Sequence, residues 1–408
     1  MKSVVIRTSL RLLVGGIVLG ATGPVRLEAQ EPWRASYFPY FMGSPTDGFM
    51  FIGHYHTVKA APYFITKAGE EIVNPLPYAG LVAVEAGIGT LGSRFGSLRF
   101  RGPDLVRRWR FAGDLEARRE GRFAFYGTGG ELEHQQDAWS HRAVIDPSPH
   151  GLNENFFRVH RERVVARAEV TRYLVGHLAA SLATSVDYTR FTPLPATTLF
   201  SDRFNHADVS STDVVTRAGL VFDTRNHEIE PSKGVLLEGN VGFGTGSETV
   251  TPLGGGGAYG LGSVNARFYF APREGTTIGV RGVWREIGGK APFAARFIIP
   301  GWERELTTGG ADTHRSFPRG ALAGTRVIYS NVEIHHDLLP FGDLGAITAF
   351  AFGDLGYAAD SQSGLGSTTQ AGGGGGVAVR ILRSAILTMG FAGGKSGFNF
   401  TMGTNWAF

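Results

Sequence analysis

One arginine and two carboxylates are the residues whose types and spacing most directly suggest chemistry in this sequence. Arg315 lies in a glycine-rich stretch that reads Gly-Gly-Ala-Asp-Thr-His-Arg-Ser-Phe over residues 309–317. The two alternating segments that follow each carry one carboxylate on their polar face, Glu333 and Asp354. A guanidinium shielded from bulk water pairs with carboxylates far more strongly than an exposed one. The pattern therefore predicts that Arg315 holds a loop against two strands.

The segments that must position these residues alternate between apolar and polar side chains. Residues 233–244 place Val235, Leu237, Val241 and Phe243 on one face and Leu236, Glu238 and Asn240 on the other, and residues 178–189 and 262–270 repeat the pattern. A period of two with one apolar face is typical of β-strands that are wetted on one side. Because the segments are long and the second face is very polar, the sequence predicts an all-β, transmembrane antiparallel β-barrel over residues 48–408 and disfavours a soluble sandwich.

About sixteen strands are predicted, an even number as bacterial barrels require. They are 48–57, 79–90, 94–103, 108–118, 122–128, 157–172, 177–190, 213–224, 233–245, 259–271, 275–287, 325–337, 345–357, 374–383, 385–393 and 397–408. The segment 122–128 is included partly because it completes the even count.

The connections between these strands alternate in length, which predicts their side of the membrane. Short connections such as 174–176, 272–275 and 338–344 are expected in the periplasm. Long connections are expected outside the cell, and they are 58–78, 129–156, 191–212 and 288–324. The last of these carries Arg315 and is expected to fold into the lumen.

Composition narrows the classes of protein that the chain can represent. The 408 residues include 59 Gly, 12% aromatic residues and no Cys. The lack of Cys excludes a disulfide framework and thiolate chemistry, and no apolar run of about 18 residues marks a membrane-spanning helix. The net charge of +4 is spread along the strands, so no nucleic-acid partner is expected.

Residues 1–29 have the organisation of a cleaved secretory signal peptide. Lys2, Arg7 and Arg11 precede an apolar core, Leu12–Leu19, and a polar exit ends at Ala29. The apolar core is too short to span a membrane as a helix. Cleavage is predicted after Ala29. Leu27 at the minus-three position is unusual, so the exact position stays open. Residues 30–47 are then predicted to be a short periplasmic lead-in.

The region around Arg315 resembles the BamA/TamA-type outer-membrane barrels, also called the bacterial surface antigen family. A loop of that family carries Val-Arg-Gly-Phe/Tyr, and the strand after next carries Phe-x-Asp-x-Gly. The matching residues here are Arg315, Phe317, Phe352, Asp354 and Gly356, whereas His314 and Ser316 depart from the motif. A second stretch resembles the family's periplasmic Asp-x-Arg…Pro-x-x-Gly turn and carries Asp223, Arg225, Pro231 and Gly234.

Three roles for Arg315 are open from the residues alone. The side chain is solvated on an outer loop, or it is a fixed brace to Asp354 or Glu333 inside the lumen, or it belongs to a functional switch. The resemblance favours the brace. It also implies that the last strand is an assembly signal for the barrel-assembly machinery, carried by Phe400, Met402, Trp406 and Phe408 on one face.

The resemblance implies a function in the bacterial outer membrane. We expect assembly, insertion or translocation of outer-membrane proteins through a seam between strand one (Phe49–Tyr55) and the last strand (Asn399–Phe408), whose edge Gly397 and Gly403 weaken. The alternative is a pore or lipid-handling barrel that keeps the scaffold without POTRA domains, since residues 30–47 are too few for one. Expected partners are outer-membrane lipid including lipopolysaccharide, the assembly machinery, and unfolded clients or a separate periplasmic partner.

No enzyme, cofactor or metal is predicted. A Gly-x-Ser-x-Gly motif does not occur, and the pairs His54/His56 and His335/His336 have no carboxylate or Cys at ligand spacing. The polar strand faces carry many arginines, which are Arg99, Arg101, Arg161, Arg163, Arg167, Arg217, Arg267 and Arg281. They form either a charge ladder that fills the lumen or a surface for anions or lipid headgroups.

Overall fold

The structure is a computed structural model that describes most of the chain from Trp33 onward. The described residues are 33–60, 78–132, 155–195, 197–250, 255–302, 304–341, 345–361, 366–381, 385–395, 397–403, 406 and 408. The predicted signal peptide, residues 1–29, lies outside these ranges and stays a prediction.

Sixteen strands form one closed antiparallel barrel, as the sequence predicts. The strands of its first half are β1 (Arg34–Ser44), β2 (Gly48–Ala60), β3 (Tyr78–Gly89), β4 (Arg94–Val106), β5 (Trp109–Ala124), β6 (Arg158–Val175), β7 (Leu178–Thr192) and β8 (Val209–Asp223). Those of its second half are β9 (Gly234–Glu248), β10 (Ala258–Arg273), β11 (Thr276–Gly289), β14 (Arg326–Pro340), β15 (Gly345–Ala359), β16 (Ser367–Ile381), β17 (Ala385–Gly394) and β18 (Gly397–Gly403). Two short strands, β12 (Ile298–Ile299) and β13 (Leu306–Thr307), pair with each other inside the β11–β14 connection.

Each barrel strand pairs with the next barrel strand in sequence, β11 with β14 across the inserted hairpin, and β1 closes the ring against β18. Alternation determines which face is buried. In β9, Val241 and Phe243 are 69% and 62% exposed, whereas Glu238 and Asn240 are buried. The exterior is therefore apolar and the interior polar, which is the inverse of a soluble protein and the arrangement of a transmembrane barrel.

The first strand is not the one predicted. Residues 34–44 form β1, so the predicted lead-in at 30–47 contains a barrel strand. Alternation failed to reveal it because aromatic side chains occupy both faces and Pro39 interrupts the run. Proline is tolerated here since β1 is hydrogen-bonded to β18 at only one residue pair, Gly43 and Met402, among the described residues.

The predicted strand at 122–128 is wrong. β5 continues through Gly121 to Ala124 and absorbs the start of that segment, and residues 125–127 belong to no strand. The count of sixteen is right because this error and the missed β1 offset each other. Their combination reverses the orientation of the early strands, so the chain leaves β2 at Ala60 and returns at Tyr78 on the rim of the short turns. The prediction that loop 58–78 lies with the long outer loops is therefore wrong.

The opposite rim, where the long connections meet, has its own apolar core. Phe123, Phe191, Phe200, Phe293 and Phe297 pack with ring centroids 5.1–6.5 Å apart in the pairs that touch. One of these rings lies on a short helix, Leu199–Arg203, which Thr198 caps with its side chain. Across the described ranges, no helix is long and apolar enough to cross a membrane. Aromatic packing thus joins the connections into a single cap over this rim.

Candidate functional site

The connection between β11 and β14 lies against the buried polar face of the barrel wall at two places. One place is the tip of the β12–β13 hairpin, residues 300–302 and 304–305, and the other is the turn at residues 310–317, which carries Arg315. The hairpin tip and the Arg315 turn contact different parts of the wall.

Arg315 lies between two carboxylates that come from neighbouring strands. Its Nε and Nη2 donate to Asp354 Oδ2 and Oδ1 at 3.0 and 2.7 Å, and its Nη1 donates to Glu333. The backbone N–H of Arg315 also donates to Asp354, at 2.8 Å. All three side chains are buried. The structure therefore makes the ion pairs that the sequence predicts, and it makes them with both carboxylates at once.

Neighbouring side chains fix the orientation of this ion-pair triad. The Phe352 ring lies under the guanidinium, with 3.5 Å from Arg315 Cζ to the ring centroid. Asn331 donates to Asp354 Oδ1 at 2.8 Å and to the Thr313 carbonyl at 2.7 Å, which ties the loop backbone to the same carboxylate. Because each charged group is held in place before pairing, little of the pairing energy is lost to side-chain entropy.

The two residues that depart from the family motif have partners of their own. His314 Nε2 lies 3.1 Å from the Gln370 carbonyl oxygen, and its ring passes so close to Gly356 that a Cβ there would lie 2.9 Å from His314 Cδ2. Ser316 donates to the Gly393 carbonyl at 2.9 Å. A Cβ on Gly372 would lie 1.8 Å from Ser316 Oγ, so a glycine in β16 makes room for the serine. Phe317 is buried in the apolar cluster beneath the loop.

The hairpin tip contacts the opposite wall through Gly301 and Trp302. The Gly301 carbonyl accepts hydrogen bonds from Arg167 and Arg217, each at 2.7 Å. Trp302 donates its backbone N–H to Glu238 at 2.7 Å and its indole N–H to Thr171 at 3.0 Å. Alternation along the strands does not predict this contact. A Pro-Gly-Trp run at residues 300–302, in a loop otherwise rich in polar residues, was the available signal.

Most of the interior arginines are neutralised by carboxylates of the barrel wall or the loop. Arg101 pairs with Asp114, Arg161 with Glu120, Arg163 with Asp187 and Glu305, and Arg167 and Arg217 with Glu169. Arg281 instead donates to the Asn331 side chain and to the Asp312 carbonyl. This arrangement favours the charge ladder over an open anion-selecting surface.

The C-terminal residues depart from the predicted lipid-facing strand. β18 ends at Gly403, and Trp406 and Phe408 are buried, whereas Phe398 is 72% exposed. The Trp406 ring stacks on His335 with centroids 3.7 Å apart, and the Phe408 ring lies 4.8 Å from Arg281 Cζ. The prediction that these two residues continue the face of Phe400 and Met402 is wrong, because both side chains lie in the polar interior of the barrel.

The predicted periplasmic turn is a clamp at the base of the β8–β9 ribbon. Asp223 accepts from Arg225 Nε at 3.0 Å, from Nη2 at 2.8 Å and from the backbone N–H at 3.1 Å. Gly234 approaches the Thr224 carbonyl too closely for any other residue, and Pro231 is buried. The motif thus fixes the direction in which the connection leaves the barrel.

A cavity of about 360 Å³ remains between the Arg315 turn and the junction of β1 with β18. Its lining combines cations such as Arg118 and Arg304 with apolar side chains such as Met42, Phe350 and Trp406. Among the residues that the structure describes, no three His, Cys, Asp or Glu side chains are grouped to hold a metal ion.

The fold and the interior site together define a sixteen-stranded barrel of the outer-membrane type. No protein-family model matches the chain, and no curated protein matches it. Among solved structures, the chain is similar to BamA from Haemophilus ducreyi lacking POTRA domains 1–3, with a TM-score of 0.54, 11% identity and coverage of 92% of this chain and 71% of that one. It is also similar to CdiB from Escherichia coli, with a TM-score of 0.53, 11% identity and coverage of 92% and 67%. The predicted resemblance to BamA/TamA-type barrels is thereby confirmed at the level of the fold.

Replacing Arg315 with alanine should destabilise the barrel, because Glu333 and Asp354 would be left buried without their cation. Breaking a buried ion pair costs about 3–5 kcal/mol, whereas an exposed pair contributes about 0–1 kcal/mol. Arg326→Ala is the matched control, since Arg326 pairs with Glu286 on the surface. Heat-modifiable gel mobility and urea unfolding in lipid measure the difference. Equal stability of the two variants would contradict the brace.

The contact between Ser316 and Gly372 of β16 can be tested by adding a methyl group at position 372 and then removing the side chain at position 316. Gly372→Ala should displace the loop and cost about 1–3 kcal/mol, because the new methyl overlaps Ser316 Oγ. Adding Ser316→Gly removes the overlap and should recover most of the loss. Unfolding free energies of the two single variants and the double variant form the cycle, and strictly additive effects would show that the residues do not touch.

Proposed function

We propose that this barrel lies in the bacterial outer membrane and acts in the assembly, insertion or translocation of outer-membrane proteins, without a catalytic step. The mechanism is lateral opening of the junction between β1 and β18, called the seam below. The predicted seam strand, Phe49–Tyr55, belongs to β2, so the role passes to β1.

The observation that carries the proposal is the shortness of the pairing at the seam. Among the described residues, β1 and β18 pair at one position, Gly43 with Met402. β1 pairs with β2 at eleven positions, and β17 with β18 at seven. Since sheet stability grows with each pair in the ladder, the seam is the place where the ring opens at least cost.

An open seam presents the backbone edge of β1 to another strand. Tyr37 and Phe41 are 65% and 56% exposed, and parting β1 from β18 leaves the backbone N–H and C=O groups along that edge of β1 without a partner. An exposed edge of this kind is a template for pairing with another strand. A client strand added there would extend the sheet through main-chain hydrogen bonds.

The Arg315 turn supports one side of the seam. Ser316 donates to Gly393 in β17, and Asn399 in β18 donates its side-chain N–H to the Ser316 carbonyl. The same turn is fixed to β14 and β15 by the ion-pair triad. The Arg315 turn therefore holds the β18 side of the seam in place, which makes β1 the strand that moves.

A pore or lipid-handling barrel is the second candidate, and the cavity favours it. Gly43, Met402 and Gly403 of the seam line this cavity together with arginines and aromatic rings, a combination suited to an amphipathic molecule that enters from the bilayer. Planar-bilayer recording separates the candidates. A steady wide conductance supports the pore, whereas a closed or briefly flickering barrel supports the seam.

A disulfide across the seam should abolish activity. A Cβ on Gly43 would lie 3.7 Å from Met402 Cβ, within the range of natural disulfides, and would meet only ordinary contacts. The chain has no other Cys, so Gly43→Cys with Met402→Cys gives one defined bond. The readout is the rate at which a small outer-membrane barrel folds into liposomes that hold this protein.

The oxidised seam variant should lose acceleration of client folding and regain it on reduction. A matched pair, Val186→Cys with Val214→Cys, places the disulfide in the continuous β7–β8 ladder and should leave activity intact in both redox states. An oxidised seam variant that accelerates folding as well as its reduced form excludes lateral opening.

A further inference from the structure

The connection between β8 and β9, residues 224–233, is longer than the turns beside it and is called the strap here. It continues the ribbon beyond the barrel, because Thr224 donates to the Val235 carbonyl at 2.8 Å and Asn226 to the Lys233 carbonyl at 3.1 Å. The Asn226 side chain accepts from the N–H groups of Ser232 and Lys233. The strap is therefore an ordered projection with a fixed direction.

The tip of the strap reaches two separate parts of the barrel wall. Glu228 pairs with Arg110 of β5, with one hydrogen bond at 3.0 Å from Nη2. Two residues later, Glu230 pairs with Arg380 of β16. In the strand order, β5 and β16 are nine steps apart through β8 and β9 and seven steps apart through the seam. The strap thus joins nearly opposite points of the ring.

Both arginines are held in position by residues that do not belong to the strap. Arg110 is buried, donates to the Tyr173 hydroxyl at 3.2 Å and lies over the Trp302 ring at 4.6 Å. Arg380 donates to Asp337 at 2.5 Å and to Thr348 at 2.9 Å. Each strap carboxylate meets a cation that is already oriented, which is the arrangement of a built docking point.

Between its two carboxylates the strap presents an apolar residue to the interior. Ile229 packs against the cluster of Ala378, Ile386 and Trp406. Trp406 belongs to the C-terminal segment that turns inward after β18. The strap therefore covers this segment as well as the space enclosed by the wall.

We propose that the strap is a latch that closes the barrel mouth on the rim of the short turns, fastened by Glu228 to Arg110 and by Glu230 to Arg380. With the latch fastened, Trp406 stays under Ile229 and solutes do not pass this rim. Release of the two ion pairs lets the tip of the strap, residues 227–231, lift from the wall while the Asp223–Arg225 clamp holds its base, and exposes the C-terminal segment. The inference requires only the barrel and not the proposed role in assembly.

Neutralising both strap carboxylates tests the latch in the full chain. Glu228→Gln with Glu230→Gln should raise the ratio of open to closed time in planar bilayers by about tenfold or more, because two charge-assisted pairs are lost. Glu274→Gln is the matched control, an exposed carboxylate in the β10–β11 turn on the same rim. An unchanged ratio in the double variant, with normal heat-modifiable mobility, overturns the proposal.

A labelling measurement keeps the test independent of how well the variant folds. Ala378→Cys places a single thiol beneath the strap in an otherwise native chain. Its reaction with a charged methanethiosulfonate should quicken severalfold between about 0.1 M and about 1 M salt, since salt screens ion pairs that solvent reaches and the Glu230–Arg380 pair is the more exposed of the two. A rate that does not change with salt counts against the latch. Neither readout involves client folding, so failure here leaves the seam experiment intact, and the reverse also holds.

Discussion

The structure depends on a guanidinium held between two carboxylates inside a protein whose exterior is apolar. A charge in such an interior is costly unless its geometry is complete. Arg315 meets that condition, because Asp354 takes two of its N–H groups and its backbone N–H, Glu333 takes another, and the Phe352 ring covers one face. The triad converts a long connection into a fixed part of the barrel wall.

The interior is filled because a sixteen-stranded ring is too wide for wall side chains to fill by themselves. The β11–β14 connection supplies the missing volume in two places, the Arg315 turn and the Trp302 hairpin tip. The C-terminal segment adds Trp406, which stacks on His335, and His335 in turn pairs with Glu333 of the triad. His335 therefore links the C-terminal segment to a carboxylate of the triad.

Alternation along the strands predicted the class of fold, since successive side chains point in turn to the lipid and to the wetted interior and differ in polarity accordingly. The triad was also predictable, because the resemblance and the polar face of each strand converge on Glu333 and Asp354. β1 was not, because aromatic side chains occupy both of its faces and Pro39 interrupts the run. The burial of Trp406 and Phe408 was hidden for another reason. Alternation predicts the direction of a side chain only within a strand. Trp406 and Phe408 lie after the end of β18 at Gly403.

The ring has one side that the Arg315 turn fixes, and β1 lies across the seam from that side. β14 to β18 are tied together by the Arg315 turn, whereas β1 pairs with β18 at one position among the residues that the structure describes. Hydrogen exchange of the barrel in lipid tests this division most directly. The account predicts that amides of residues 310–317 exchange as slowly as those of β14 and β15, while amides of residues 34–42 exchange fastest in the barrel. Rapid exchange at 310–317 together with protection along β1 would contradict it.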